Sequence, residues 1–211
     1  MTDRSGRSWW TQLKELRRAR SDPARIGDAA AMQTRMLGRV MSPHVEAQVQ
    51  ALRRARGPQV LAPTIDFDAL GQLPRGALGR ELVEFCRVNA IAPAVISAEA
   101  REGVEELGAA ARYICLHDLF HVLLGCDTSI PEELRITAFI LEQRYFRGGR
   151  LWLGVLYLFG PLVRPWLALR TLANIRRGRA LARRAPMLLG EPLEDWFAEP
   201  VEVVRARLGI A

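Results

Sequence analysis

The sequence is poor in cysteine and almost devoid of lysine. Its three cysteines, Cys86, Cys115 and Cys126, are an odd number without a CxxC pair, which argues against a disulfide framework and indicates a reducing compartment. Lys14 is the single lysine, so arginine provides nearly all of the positive charge behind the formal net charge of +7. Guanidinium groups suit phosphates and carboxylates, and the charge therefore fits an anionic membrane surface, an acidic ligand or nucleic acid. Codon usage in a GC-rich genome would explain it equally well.

Other absences narrow the class of protein. The first residues contain no apolar run that leads to a small-residue cleavage position, so we expect no secretory signal. The thirteen-residue apolar run at 151–163 is shorter than the roughly 17–25 residues that a membrane-spanning helix needs. The sequence shows no recognisable nucleic-acid-binding motif, and its basic residues are scattered along the chain. We therefore predict no nucleic-acid partner.

The sequence also lacks a series of alternating strands with hairpin turns. Apolar residues instead recur at helical spacing along most of the chain, which predicts a single all-α domain, a helical bundle, over residues 1–211. Residues 1–21 are predicted to form an N-terminal arm, in which Trp9 and Trp10 would suit a membrane interface or a dimer seam equally well. Residues 57–76 are rich in proline and glycine and predict an irregular crossing segment.

The apolar segment 151–163 allows two interpretations. Arg150 and Arg164 bracket it, and it carries Trp152 and Tyr157. It can be a buried core helix. Alternatively, it can face lipid at a membrane interface, where aromatic and arginine side chains anchor a half-immersed helix.

Two of the three histidines lie four residues apart in the stretch LHDLFHVLLG. On a helix, His117 and His121 would share one face, which is the geometry that two imidazoles need to bind one metal ion. Asp118 would lie about 100° away around the helix and could reach the same ion or orient a ligand. Two imidazoles with carboxylates suit zinc or non-haem iron(II). A pair of core histidines is the alternative, and a metal hydrolase is a weaker one, because the aspartate is one methylene shorter than the glutamate of HExxH.

The residues after this stretch offer a further carboxylate. The helix is predicted to end at Gly125, and Ser129 with Glu132 fits a capping box at the start of the next helix. Glu132 would then have a structural role, and Glu133 would be the free carboxylate. Asp127 is the competing candidate.

The order of these residues resembles a known signature. His117-Asp118-x-x-His121, followed after eleven residues by Glu133, is similar to the signature of the family of the fourth protein in coenzyme Q (ubiquinone) biosynthesis. Further likenesses to this family are LPRGALGRE, RRAPMLL and the ending VRARLGI, and the similarity covers most of the chain.

This resemblance implies an all-α protein, peripheral to a membrane, that acts on polyprenylated ring precursors of ubiquinone derived from 4-hydroxybenzoate. The implied reaction removes the ring carboxylate at C1 and installs a hydroxyl group, so the protein would be a metal-dependent decarboxylase and hydroxylase. The alternative is a non-catalytic lipid-binding scaffold with a structural metal, which organises the ubiquinone-synthesising enzymes. The implied ligands and catalytic residues are His117, Asp118, His121 and Glu133, with zinc as the usual metal and iron(II) or another divalent metal as the alternative.

The resemblance also suggests substrate contacts, partners and a location. Arg112 is the candidate for steering the acidic group of the substrate, with a surface position or an ion pair as the alternative. The expected partners are the polyprenylated aromatic lipid, other ubiquinone-biosynthesis enzymes, a membrane surface and a second copy of the chain in a homodimer. The expected location is the cytoplasm, on the inner face of a bacterial cell membrane, or the mitochondrial inner membrane in a eukaryote.

Overall fold

The computed structural model describes residues 38–91 and 108–211, so the predicted arm at 1–21 lies outside the described residues. Within these two ranges the chain forms helices and no strand longer than an isolated bridge. The prediction of a single all-α domain is confirmed.

The described residues contain eight α-helices and four short 3-10 helices. The α-helices are α1 Pro43–Arg56, α2 Phe67–Gly71, α3 Leu78–Val88, α4 Gly108–Leu124, α5 Ile130–Glu142, α6 Gly149–Val163, α7 Ala168–Ala182 and α8 Val201–Arg207. The 3-10 helices are Pro58–Leu61, Pro165–Leu167, Leu188–Gly190 and Leu193–Trp196. The predicted crossing segment at 57–76 thus contains the first 3-10 helix and α2.

Helix α4 lies at the centre of the main core. Its side chains pack against α1, α3, the 3-10 helix at Leu188–Gly190 and α8. Each fully buried leucine contributes roughly 1.5–3 kcal/mol to the stability of the folded state. The burial of several such side chains therefore fixes the position of α4 in the bundle. Fully buried residues of α4 include Leu116, Leu119, Phe120 and Leu123.

Local signals set the turn between α4 and α5. Gly125 follows α4 with a φ of +61°, a left-handed conformation that favours glycine, so the predicted helix end is confirmed. Ser129 is the N-cap of α5, but the predicted capping box is wrong. The Ser129 side chain makes no cap hydrogen bond, the Ser129 N–H donates to Asp127 Oδ1 at 2.8 Å, and Glu132 pairs with Arg135.

Helices α5, α6 and α7 form a second, smaller core. Helix α7 packs directly on α5 at Gly178. The two helices approach so closely there that a Cβ on residue 178 would collide with the backbone carbonyl oxygen of Arg135. Helix α6 lies across both helices through Leu153, which joins Ala138 and Ile175 in a buried cluster.

The apolar run at 151–163 falls within α6 and is largely exposed. We call its outer surface the leucine ridge: Leu151, Leu158 and Leu162 expose 72%, 66% and 64% of their surface. The interpretation of this run as a buried core helix is therefore wrong. Among the described helices, none is by itself long and apolar enough to cross a membrane, and α6 combined with Pro165–Ala182 is bent by 112°.

Candidate metal centre

Three of the four predicted ligands converge where α4 meets α5. His117 and His121 lie one turn apart on α4, and Glu133 lies in the first turn of α5. One potential ligand atom from each residue lies within 4.8 Å of the other two. His121 Nε2 lies 3.3 Å from Glu133 Oε1.

The imidazole of His121 is held from two sides. It is only 2% exposed and stacks on Phe85 of α3, with ring centroids 5.0 Å apart and an interplanar angle of 27°. Its Nδ1 lies 3.2 Å from the carbonyl oxygen of Asp127. When Nδ1 carries the proton and donates to this carbonyl, the lone pair of Nε2 faces Glu133, which is the arrangement that metal-binding histidines usually adopt.

The imidazole of His117 is more accessible. Its ring lies edge-on to Tyr113 at 5.6 Å and 5.1 Å from the ring of His121. Asp118 Oδ1 lies 3.6 Å from His117 Nδ1, and Asp118 is not one of the three converging residues. Of its two predicted roles, this position suits the orientation of a ligand better than direct binding.

The Glu133 carboxylate is half-buried, with 41% of its side chain exposed. Burial is the largest single influence and raises the pKa of Glu133. A hydrogen bond from His121 and the positive charges of His121 and His117, present when these imidazoles are protonated, together lower the pKa by more, against an opposing effect of Asp118. The net pKa lies below its ordinary value. Glu133 is therefore ionised at neutral pH, as a metal ligand must be.

Glu132 and the competing candidate Asp127 have other contacts. Glu132 is buried, and its carboxylate pairs with Arg135 and lies 3.5 Å from Arg170. The side chain of Asp127 is exposed, and its hydrogen bond from Ser129 holds the pKa of Asp127 below its ordinary value. Asp127 contributes to the centre through its backbone carbonyl.

Arg112 lies in the core, and its position corrects the predicted role in substrate binding. Its guanidinium is fully buried and donates to the backbone carbonyls of Val60, Leu189 and Glu191 and to both carboxylate oxygens of Glu194. These bonds use all five of its N–H groups. The ion-pair alternative is therefore the one that its contacts support.

One cavity opens at the centre, and a second runs along α5 from Leu134, the residue after Glu133. One, of about 390 Å³, opens beside His121 and is also lined by Phe85 and Cys126; burial raises the pKa of Cys126 to about 12, so this thiol stays protonated. The other, of about 490 Å³, is a channel between α5 and α6 that we call the apolar groove. Its lining is almost entirely apolar and includes Thr137, Leu141, Phe146, Leu156, Phe159 and Val163.

Sequence reasoning missed the contacts that come from distant segments. Phe85 reaches His121 from α3, and no local pattern marks it as a partner. Tyr113 lies one turn before His117 on α4, so the helical spacing could have identified it.

The three converging residues fit a divalent metal ion. Two imidazoles and one carboxylate leave one position of a tetrahedral zinc site open for a substrate or water, and the same three groups form the facial triad of non-haem iron(II). The molecule is thus an all-α protein with a candidate two-histidine, one-carboxylate metal centre between adjoining helices.

Comparison with known families agrees with the resemblance in the sequence. Residues 24–211 match the family described as Coenzyme Q (ubiquinone) biosynthesis protein Coq4. The chain belongs to this family.

Curated relatives and a solved structure extend the comparison. The mitochondrial COQ4 homologue of Mus musculus is 32% identical over 157 residues, which are 73% of this chain and 58% of the relative. The human homologue is 30% identical over 159 residues, 72% of this chain and 57% of the relative. The chain thus spans little more than half the length of these curated relatives. A crystal structure from Nostoc punctiforme has the same fold, with a TM-score of 0.59, 20% identity and 94% coverage of both chains.

Proposed function

We propose that this protein replaces the C1 carboxylate of a polyprenylated, 4-hydroxybenzoate-derived ubiquinone precursor with a hydroxyl group, in a metal-dependent oxidative decarboxylation. The observation that carries the proposal is the convergence of His117, His121 and Glu133 within 4.8 Å. An apolar groove is lined by Leu134, Thr137 and Leu141 of α5, the helix that also carries Glu133. Membership of the Coq4 family supplies the pathway.

The ligand set consists of His117, His121 and Glu133, with Asp118 orienting the ring of His117. Zinc is the proposed metal, and iron(II) is the alternative. When bound, the cation would polarise a carboxylate or phenolate oxygen of the substrate and stabilise negative charge on the ring. Phe85 and Asp127 keep the imidazole of His121 in one orientation, so that its Nε2 stays directed at the centre.

The apolar groove is the proposed site for the isoprenoid tail. Glu133, Thr137 and Leu141 follow each other at intervals of four residues, which places them along one face of α5. Thr137 and Leu141 line the groove, so a tail in the groove would direct the aromatic ring towards the end of α5 that carries Glu133.

The proposed reaction needs dioxygen and a two-electron donor. The bond between C1 and its carboxylate breaks, carbon dioxide leaves, and C1 gains one oxygen atom from dioxygen. The second oxygen atom leaves as water after taking up two electrons and two protons from the donor. Zinc has no redox chemistry of its own, so a zinc protein would require an electron-rich phenolate that reacts with dioxygen directly.

The exposed apolar surface supports a location at a membrane. The exposed Trp152 follows the first leucine of the leucine ridge, and the exposed Trp166 lies just beyond the last one. A helix with such a surface suits the membrane interface. We place the protein on the inner face of a bacterial cell membrane or, in a eukaryote, at the mitochondrial inner membrane, which would accord with the mitochondrial label of the relatives. Other ubiquinone-biosynthesis enzymes and a second copy of the chain are its proposed partners there.

A reconstituted assay with His121→Ala tests the proposal. Purified protein would be analysed for metal and then incubated with the C1-carboxylated precursor, dioxygen and a two-electron donor, and the product identified by mass spectrometry. We expect the unaltered protein to contain metal and form the C1-hydroxylated product, and His121→Ala to lose both. His44→Ala is the matched control, because His44 is exposed and its Nε2 lies 3.2 Å from the carbonyl oxygen of Gln143, outside the candidate centre.

The same assay separates the enzyme from the lipid-binding scaffold, which the exposed leucine ridge also favours. A protein that retains metal and binds the precursor but yields no product would be the scaffold. Turnover that survives in His121→Ala would contradict the proposed centre.

A further inference from the structure

A strongly basic cavity lies at the end of α5 remote from the metal centre. It has a volume of about 440 Å³ and is bounded by the C-terminal end of α5, the first half of α6 and the C-terminal end of α7. We call it the arginine cavity, because its lining contains Arg144, Arg150, Arg179 and Arg183 against a single acidic residue, Glu142. At full ionisation the lining carries a net charge of +3. The nine residues from Glu133 to Glu142 correspond to about 13 Å of helix, so this cavity and the metal centre are separate.

Glu142 holds two of the arginines in place without occupying most of their donors. Arg179 Nε and Arg183 Nε donate to its carboxylate oxygens at 2.7 and 2.8 Å. Burial raises the pKa of Glu142, but these two hydrogen bonds lower it more, so the carboxylate is ionised. The guanidinium of Arg179 also lies over the ring of Tyr157, 5.4 Å from its centroid. Arg179 Nη1 also donates to the hydroxyl oxygen of Tyr157 at 3.4 Å, so Arg179 Nη2 and the two terminal nitrogens of Arg183 remain available in the described part of the chain.

The other two arginines have no compensating partner in the described part of the chain. The side chains of Arg144 and Arg150 are exposed, and neither makes a hydrogen bond or an ion pair with any described residue. Arg144 has a φ of +56° because it ends α5 in a Schellman motif, in which its N–H donates to the carbonyl oxygen of Leu141 and the N–H of Tyr145 donates to that of Ile140. Arg150 lies in the first turn of α6, where the helix dipole favours negative charge, and that turn contains no acidic residue.

A bound anion would balance the excess positive charge of the cavity lining. It would also meet the favourable dipole of the first turn of α6, which contains no acidic residue. Guanidinium groups bind phosphate oxygens in bidentate pairs. The net charge of +3 on the cavity lining is larger than the single negative charge that one carboxylate ligand would balance. We propose that the arginine cavity binds a phosphate group, carried either by an anionic phospholipid at a membrane or by a small soluble phosphate compound.

The position of the cavity beside the leucine ridge favours the phospholipid. Arg150, Gly154 and Tyr157 line the cavity from one side of α6, and Leu151 and Leu158 lie on the adjoining exposed side, about 100° further round the helix. A helix that lies in the membrane interface has its apolar side among acyl chains and its flank at the level of the headgroups. The cavity would then meet the phosphate of a lipid whose acyl chains contact the ridge.

The test compares two double variants that remove equal charge. Arg144→Gln with Arg150→Gln alters the cavity and leaves the ion pairs of Glu142 intact. Arg54→Gln with Arg75→Gln removes two exposed arginines elsewhere, on α1 and before α3. Each full-length protein would be assayed by sedimentation with phosphatidylcholine vesicles, with and without phosphatidylglycerol, and by calorimetric titration with glycerol 3-phosphate.

We expect the unaltered protein and the Arg54/Arg75 variant to prefer the vesicles that contain phosphatidylglycerol. The Arg144/Arg150 variant should bind those vesicles at least about tenfold more weakly, since each arginine near an anionic surface contributes roughly 1 kcal/mol. Binding of glycerol 3-phosphate that is lost in the cavity variant would identify a soluble phosphate compound as the ligand. Equal loss in both variants, or no phosphate-dependent binding in either assay, would overturn the proposal.

Discussion

His121 Nε2 lies 3.3 Å from Glu133 Oε1, and a five-residue turn between α4 and α5 brings these two atoms together. Gly125 ends α4, Ser129 begins α5, and the carbonyl oxygen of Asp127 between them contacts the other nitrogen of the same imidazole. One short turn thus sets both the position of the carboxylate and the orientation of the histidine.

The first prediction concerns which carboxylate binds the metal. Glu133→Gln should reduce zinc affinity at least about tenfold, because an amide is a poor substitute for an anionic ligand and even indirect partners of metal ligands contribute 10–100-fold. Asp127→Asn should keep its metal, because Asp127 acts through its backbone carbonyl. Competition with a chromophoric chelator would measure both affinities, and weaker binding in Asp127→Asn than in Glu133→Gln would assign the ligand to Asp127.

The second prediction concerns the buried guanidinium of Arg112. Arg112→Met should lower the free energy of unfolding by about 3–5 kcal/mol, because it leaves Glu194 without its partner and three backbone carbonyls without a donor. Urea denaturation would measure this loss. The folded fraction should still bind zinc as tightly as the unaltered protein. A stable variant that fails only in substrate binding would restore the role predicted from the sequence.

Local residue order was enough to predict which side chains converge in the candidate metal centre, except for Asp118. Helical spacing alone places His117 and His121 on one face, and the signals at Gly125 and Ser129 predict the turn before Glu133. These inferences succeed because they depend on residues within one or two helical turns of each other.

Features that depend on distant segments could not be predicted in this way. The partners of Arg112 lie 52 to 82 residues away along the chain, so its burial follows only from the tertiary packing. The apolar run of α6 has a composition that suits a core helix as well as an exposed one. Its contacts with Ala138 and Ile175 cover a single side of the helix, and only the packing shows this.

The third prediction concerns the pH dependence of stability at Glu142. Its pKa in the folded protein lies below the ordinary value of 4.5, because Arg179 and Arg183 donate to it. A lowered pKa contributes stability above the ordinary pKa, and this stability is lost as the pH falls through the lowered value. Glu142→Gln should therefore be less stable than the unaltered protein at pH 7, by about 1–3 kcal/mol, and the difference should narrow below pH 4.5.

Chemical denaturation at a series of pH values would measure this difference. Asp68→Asn removes an exposed acidic side chain on α2 and should change the free energy of unfolding by no more than roughly 0.5 kcal/mol. A difference between Glu142→Gln and the unaltered protein that stays constant down to the acid limit would contradict the ion-pair origin.

The fourth prediction compares two glycines within helices. Gly178→Ala should lower the free energy of unfolding by about 1–3 kcal/mol, because its Cβ would collide with the carbonyl oxygen of Arg135 and force α7 away from α5. Gly154→Ala meets no atom within 4 Å and should stabilise α6 by about 0.5–1 kcal/mol, as alanine does in a helix interior. Thermal unfolding of both variants would show shifts of opposite sign. Equal shifts would mean that α5 and α7 do not approach at Gly178, and the alignment of Arg179 and Arg183 with Glu142 would then lose its basis.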